Sequence, residues 1–396
     1  MYNKYILKIS IASGCSISVN GDLGSPQPLI LVPDGGSGKE AFFYPTVGDV
    51  ISFTAQQSID LACPRGTIRL NGISTGNEIL RGSCRSGSLF EINNQVVSFP
   101  EVTCSSQPFH TARFSGNTCL GIYNEIEVGF IVGDRFLKHL SICFDHIRQT
   151  TLYSLFNLTS AIDGFQRGFP RPGWIEGNFF NVGGNSLDAL WRRDNQRVTI
   201  NRLVGLEDSS VKYVVATGNF YLARGHLTAK TDFVFGSQHR LTFHLVNAAP
   251  QWQTFNAGNW LSVESNVRSF ASTRRLDLIV YTGTHGVSTL PHEVTNEDVE
   301  LFLYVNGTKR AAPVPQLFWK VVYEPVSEAG IVFIGVNNPY DDNFARNLIC
   351  MDVSDQVSWL TWSPLNQVRG FSYSCDVNDF RKTVTLPEFN VRELLK

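Results

Sequence analysis

Two stretches decide how this chain is read: GNFYLARGHLTAKTDFVF, residues 218–235, and NAAPQWQTFNAGNWLSVE, residues 247–264. The first is a mostly apolar run interrupted by an Arg-Gly-His triplet, and it reads as a strand that ends at Arg224-Gly225-His226. The intervening RLTFHLV reads as a second strand, ending at Asn247. From Gln253 to Ala271 the period changes. Trp260, Val263, Val267, Phe270 and Ala271 fall at i, i+3, i+7, i+10 and i+11, a helical stripe. Asn256, Trp260 and Glu264 are four apart, so they share roughly one side of that helix. The spacing therefore predicts a strand–strand–helix unit that gathers a His, two Asn, an Arg and a Glu. Taken singly, each has a plain explanation: the triplet as a solvated turn, Asn256 as a helix N-cap, Glu264 as a solvated helix residue. Only the ordered set points to chemistry.

Composition bounds the rest. The 396 residues are 43% hydrophobic and 17% charged, which excludes disorder and leaves ample material for a core. Such a length suggests two domains, or one large domain with an appendage. Phe at 28 and Gly at 33 favour β-rich structure with many turns. The net charge of −2 excludes a polycation, but the charge is uneven. Between Arg192 and Arg275 eleven Lys/Arg face five Asp/Glu, a local +6 that suits either a solvated face or a phosphate-facing one. No run of about 18 apolar residues exists, so no membrane-spanning helix is expected.

The eight cysteines form no Cys-x-x-Cys, so zinc-ribbon spacing is absent. Their even number and wide spread favour disulfides and an oxidising compartment. Two glycosylation triplets agree, Asn157-Leu-Thr and Asn306-Gly-Thr. The first fourteen residues resemble a weak signal peptide, with Lys8 interrupting a short apolar run. Six cysteines lie before residue 144, among short strand-like runs such as SISVNGDL, PLILVPDGG and DVISFTAQ. Residues 1–117 are expected to form a disulfide-stapled all-β domain. Residues 118–396 are expected to form a second domain, in which Cys350 and Cys375 pair with each other. Strands are expected at GIYNEIEVGFIV, LKHLSICFDH, TTLYSLFNLT, VKYVVATGNFYL, LDLIVYTG, ELFLYVNG, LFWKVVYE and AGIVFIGVNN, and a further helix at 353–360. His239 and His244 read as strand-face residues. YDDNF, with Asp341 and Asp342, lacks EF-hand spacing and reads as a turn.

Four blocks in order carry a specific resemblance: ARGH at 223–226, NAAPQ at 247–251, NAGNW at 256–260, and Glu264. VYTG at 280–283, FWKVV at 318–322 and a strand pair ahead of FQRGFPRP add to it. The segment resembles the DNA/RNA non-specific endonuclease family, the ββα-metal nucleases, from about Leu120 to the C-terminus. With a cysteine-rich domain ahead of it, the chain is most similar to secreted arthropod nucleases that degrade double-stranded RNA. The resemblance implies an α+β fold, a ββα-metal nuclease domain on a mostly antiparallel sheet.

It also implies roles. His226 matches the general base, and Asn256 the single protein ligand of a Mg²⁺ that otherwise keeps its waters, with Mn²⁺ as a substitute. Arg224 matches a phosphate-binding arginine, and Asn247 and Glu264 match groups that orient the metal's waters. Lys230, Arg240, Arg268 and Trp260 are the expected substrate contacts. An upstream phosphate-contacting arginine is expected among Arg192, Arg193, Arg197 and Arg202. The family's leading Asp is Ala223 here, which puts metal affinity in doubt but removes neither base nor ligand. The expected enzyme is extracellular, for example in a gut lumen. It would cut duplex RNA, with DNA as the alternative substrate and a silent nucleic-acid binder as the alternative role. The β domain is expected to widen the duplex-binding surface, to pair subunits in a homodimer, or only to add stability.

Overall fold

The computed structural model describes residues 14–36 and 38–396, so the leader-like start lies almost wholly outside the described residues. The chain divides into two compact units. One takes in the chain up to His110 with residues 130–137 and 164–168; the other holds 111–129, 138–163 and 169–396.

The first unit is built on short strands. Its main sheet runs, antiparallel throughout, through Leu29–Leu31, Ser58–Ala62, Ile79–Ser86, Leu89–Ile92 and Gln95–Ser98. Ile59, Leu61, Cys84, Phe90 and Ile92 point inward and are fully buried. Phe90 meets Phe53 and Phe99 edge-on, with ring centroids 5.5 and 5.4 Å apart. Disulfides Cys15–Cys84 and Cys63–Cys104 close this small core, for which covalent links compensate limited apolar burial.

The second unit is α+β. The strands from His110 onward include β1 (His110–Cys119), β2 (Tyr123–Val132), β3 (Arg135–Asp145), β4 (Thr150–Leu158), β5 (Leu222–His226), β6 (Ala248–Trp252), β7 (Leu278–His285), β8 (Phe302–Asn306), β9 (Lys309–Pro313), β10 (Leu317–Glu324), β11 (Ala329–Val336), β12 (Ser372–Cys375) and β13 (Glu393–Leu394). A nine-stranded sheet has the order β1-β2-β3-β4-β7-β10-β11-β12, with β13 beside β11. From β3 to β12 neighbours are antiparallel, and β13 pairs parallel with β11. Every residue of β10 and β11 is buried, which explains why LFWKVVYE and AGIVFIGV show no alternation. Disulfides Cys119–Cys143 and Cys350–Cys375 belong to this unit, the latter as expected from the sequence.

The site strands stand apart from that sheet. β5 and β6 form their own antiparallel pair, from Leu222 opposite Trp252 to His226 opposite Ala248. Both outer edges are buried, so their main-chain groups need partners from elsewhere. Side-chain amides supply them. Gln196 accepts from Leu222 N at 2.6 Å and donates to the Leu222 carbonyl at 3.1 Å. Trp191 Nε1 donates to the Ala223 carbonyl at 3.2 Å. On the other edge, Asn337 accepts from Trp252 N at 2.9 Å and donates to the Pro250 and Pro315 carbonyls at 3.0 and 2.9 Å. Pro250, lacking an N–H, is tolerated in a strand whose outer edge meets a side chain.

Several expectations change. RLTFHLV is not a strand. Residues 236–241 form a helix, α3, started by Gln238 Oε1 accepting from Phe235 N at 3.2 Å, and 245–247 form a 3-10 turn. The second strand of the pair is the following AAPQW. His239 and His244 are accordingly buried off any strand. VKYVVATGNFYL becomes strand only from Leu222. The expected helix at 353–360 is a single 3-10 turn, Ser354–Gln356. There the Asp352 carboxylate takes the Ser354 N–H and hydroxyl, at 2.8 and 2.5 Å, and competes with helix propagation. Two helices lacked any signal, α1 (Leu187–Leu190) and α2 (Arg193–Leu203). The buried face of α2 is Gln196, Ile200 and Asn201, too polar to show an apolar stripe.

Asn337→Ala should cost about 3 kcal/mol of folding stability, since it orphans one buried N–H and two carbonyls. Urea unfolding of the two proteins reads this directly; an unchanged midpoint would show that the β6 edge does not depend on Asn337.

Candidate active site

His226 ends β5. It is 8% exposed, and its Nε2 is buried with no hydrogen-bond partner. Trp174 lies 4.5 Å from its ring centroid and Phe243 4.8 Å, the latter edge-on. Burial, reinforced by the charges of Arg171 and Lys230, pushes its pKa down to about 3, so the imidazole is neutral at physiological pH. Arg171 stands 5.4 Å over the Phe243 ring, and Lys230 donates to the Phe169 carbonyl, two residues before Arg171. The cations beside the base are therefore Arg171 and Lys230.

The triplet neighbour Arg224 is directed elsewhere. Two residues apart on a strand, Arg224 and His226 share a face by alternation. Yet Arg224 Nη2 donates to the Asp188 carboxylate at 2.5 Å and to the Asp188 carbonyl at 3.0 Å. Gly225, between them, has a steric purpose. A Cβ there would lie 2.4 Å from Gln251 Oε1, so glycine makes room for that buried side chain. Both amide atoms of Gln251 lack partners. Ala223, where an Asp was expected, sits directly opposite Gln251 in the ladder.

Asn256 opens a π-turn, Asn256–Trp260, that leads into helix α4 (Leu261–Arg274). Gly258 breaks the helical dihedrals there, and a Cβ on it would lie 2.7 Å from the Arg369 carbonyl. Asn259 pins the turn: its amide donates to the Ser363 and Gly370 carbonyls at 2.8 and 2.6 Å and accepts from Ser363 N at 2.9 Å. The wider turn breaks the simple four-residue register. Trp260 is 1% exposed, packed between Phe255 and Phe318 at 5.6 and 5.7 Å, while Asn256 and Glu264 remain half-exposed. Trp260 is thus a core residue and not a substrate contact.

Glu264 lies deep among protein atoms although part of its surface is open. Burial, with repulsion from Asp232, pushes its pKa up to about 7, against the pull of Arg268, Lys320 and Arg171. Arg268 Nη1 donates to Asp232 at 2.8 Å, so its charge is shared with a buried carboxylate. Lys320 is 1% exposed on β10, and its Nζ donates to Thr282 Oγ1 at 2.5 Å, 5.7 Å from the Trp260 ring. Two acids and two bases thus balance below α4. A lysine inside an otherwise apolar strand was the available signal for this cluster, because a buried charge demands partners.

The remaining expected residues separate clearly. Asn247 Nδ2 donates to the Thr228 and Thr242 carbonyls, each at 2.9 Å, and its Oδ1 accepts from Thr228 N at 3.0 Å. Its amide is spent on the main chain, which corrects the expectation that it orients the metal's waters. Arg193 bonds the Ala216 and Gly218 carbonyls, Arg197 pairs with Asp194 and Arg202 with Asp208. Asp194 and Asp208 are already counted in the local +6, which is offset further by two acids outside that window, Asp188 on Arg224 and Glu293 on Lys212; Arg192 lies exposed. Arg240 is half-buried with an unpaired Nε. Arg171, missed in the sequence, was signalled by its place between prolines beside Trp174 in FPRPGW.

Among the described residues no three His, Cys, Asp or Glu side chains cluster as metal ligands. The donor chemistry fits a hard, hydrated cation instead. Asn256 Nδ2 donates to Gln253 Oε1 at 3.1 Å, which leaves Oδ1 as the free hard oxygen.

Comparison with known proteins agrees. The family model described as DNA/RNA non-specific endonuclease matches residues 124–380. The Salivary endonuclease of Lutzomyia longipalpis is 26% identical over 385 residues, covering 95% of this chain and 85% of that protein. Salivary protein Tsal2A of Glossina morsitans morsitans is 25% identical, covering 98% of this chain and 95% of its own length. A solved structure of the EndoG/EndoGI complex aligns at 18% identity and TM-score 0.28 over 50% of this chain and 72% of that one.

His226, His239 and His244 are buried with pKa values of about 3, 4 and 4, burial being the first cause for each. The unfolded chain takes up these protons near pH 6.5 and the folded one does not. Stability is therefore full above pH 6.5 and falls as pH drops towards 4, by about 2 kcal/mol per histidine at pH 5. Urea unfolding between pH 7 and 5 should show this slope, and His239→Gln should flatten it by about a third; a flat wild-type profile would rule it out.

Proposed function

The chain belongs to the DNA/RNA non-specific endonuclease family, and from that premise we propose a secreted, Mg²⁺-dependent endonuclease that prefers double-stranded RNA and leaves 5′-phosphates. It is a nuclease that hydrolyses phosphodiester bonds. Substrate preference and product polarity rest on resemblance alone. Secretion is supported by four disulfides and by salivary relatives. No helix among the described residues is long and apolar enough to cross a membrane.

The observation that carries the catalytic reading is the unpaired, neutral Nε2 of His226 beside Arg171 and Lys230. Water hydrogen-bonded there gives its proton to Nε2 as its oxygen bonds to phosphorus. The P–O3′ bond breaks in line, and the leaving oxygen is protonated by solvent. Arg171 and Lys230 bind the phosphate and, while the site is empty, keep the base unprotonated. A bound phosphate offsets their charge and raises the basicity of His226 when it is needed. Asn256 Oδ1 would hold Mg²⁺, whose chemistry is to neutralise charge on the phosphate and on the leaving oxygen. Glu264, ionised, orients water beside that position.

Ala223 favours a second reading, a weakly catalytic nucleic-acid binder. Long duplex RNA and plasmid DNA incubated with Mg²⁺ or Mn²⁺ separate the two readings, since a binder leaves both intact. In the nuclease, His226→Ala lowers kcat by about 10²- to 10⁴-fold while duplex binding persists. The ionised Glu264 further predicts a rate that rises with pH through about 7. Glu264→Gln should lower the rate and abolish that limb; retention of the limb would remove Glu264 from the mechanism.

A further inference from the structure

The second unit contains a cavity of about 850 Å³ to which none of the residues assigned to cleavage contributes. Two hairpin tips wall it. One is the β3–β4 turn, with His146, Arg148 and Gln149; the other is the β8–β9 turn, with Thr308, Lys309 and Arg310. Gln149 stitches the frame together. Its side chain donates to the His146 carbonyl and accepts from Asn181 N, and its own carbonyl accepts from Ala312 N at 3.3 Å.

The lining is basic. Arg148, Lys309 and Arg310 face a single carboxylate, Glu300. That carboxylate sits 3.4 Å from Arg310, whose guanidinium also covers the Phe302 ring at 5.1 Å. Arg148 meets Asp145 only at 4.0 Å, and Asp145 is already engaged by the Ile147 and Arg148 N–H groups, each at 2.9 Å. Lys309 is exposed and forms no ion pair among the described residues, so it and Arg148 lack a close carboxylate partner. Thr150, Thr284, Thr308 and Asn181 add neutral hydrogen-bonding groups. Cations on exposed stems above hydroxyl and amide groups suit phosphate oxygens and the hydroxyls of a sugar.

We propose that this cavity is a second phosphate-binding site, which grips the sugar–phosphate backbone of a nucleic acid away from the point of cleavage. The proposal rests on the nuclease reading and deepens it. Salt dependence arises there from contacts to the backbone and not to bases, so the grip is independent of sequence.

The test is the double variant Arg148→Ala/Lys309→Ala, at two exposed hairpin positions. Duplex RNA binding is measured against salt in EDTA, where cleavage is off. The expected result is a plot of log K against log salt about 1.8 shallower than wild type, for two lost phosphate contacts. With Mg²⁺, KM for long duplexes should rise several-fold with kcat kept. An unchanged slope overturns the site. A parallel arm titrates inorganic phosphate and a 5′-mononucleotide; if the variant loses only these and keeps the duplex slope, the cavity holds a small free anion and the backbone assignment is overturned. Wild type that binds duplex in EDTA but never cuts would overturn the nuclease reading and leave the slope comparison intact.

Discussion

The active-site strand pair depends on hydrogen bonds that no sheet supplies. β5 and β6 form a two-stranded island, and a buried strand edge without partners is more costly than most packing defects. Gln196 and Trp191 complete one edge, Asn337 the other, and Asn247 ties the connecting segment. Each carries its bonds from a different element. The position of His226 is therefore fixed by amides from helix α2, from the end of β11 and from its own connection. The large sheet gives the platform, and the amides set the placement of the base upon it.

Charge is organised with similar economy. The cations suited to a phosphate also keep the base neutral in its absence, because positive neighbours and burial act on the imidazole in the same direction. Beneath α4, Lys320 and Arg268 draw Glu264 towards its ionised form, while burial and the neighbouring Asp232 push the other way. A neutral imidazole thus lies in one site with a carboxyl whose pKa is pushed up to about 7, because each is surrounded differently.

What was legible in the sequence was the order of chemical groups and the elements with strong periodicity. The strand run from 123 to 158, the strands after 278 and the helix from 253 were readable because apolar spacing dominates there. RLTFHLV was not, because a side-chain cap and a buried amide outweighed its β propensity. Arg224 and Trp260 show the same limit at the site. Sequence adjacency put Arg224 beside the base, but Asp188, thirty-six residues earlier, takes its guanidinium. Arg171, from a distant proline-flanked segment, occupies the place that adjacency suggested for Arg224.

The π-turn at Asn256–Trp260 carries a consequence for how this segment can vary. Gly258 breaks the helix inside it, and Trp260 faces the core while Asn256 stays accessible. Removing or adding one residue between them would turn one side chain by about 100° relative to the other. Either the indole would enter the cleft or the amide oxygen would enter the core. Exposed Ala257 can vary, but Gly258 and Asn259 are held by the Arg369, Ser363 and Gly370 main chain, and the length of the turn is held with them. The spacing from Asn256 to Trp260 is thus a ruler, whose count of residues is fixed as firmly as the glycine and the amide that mark it.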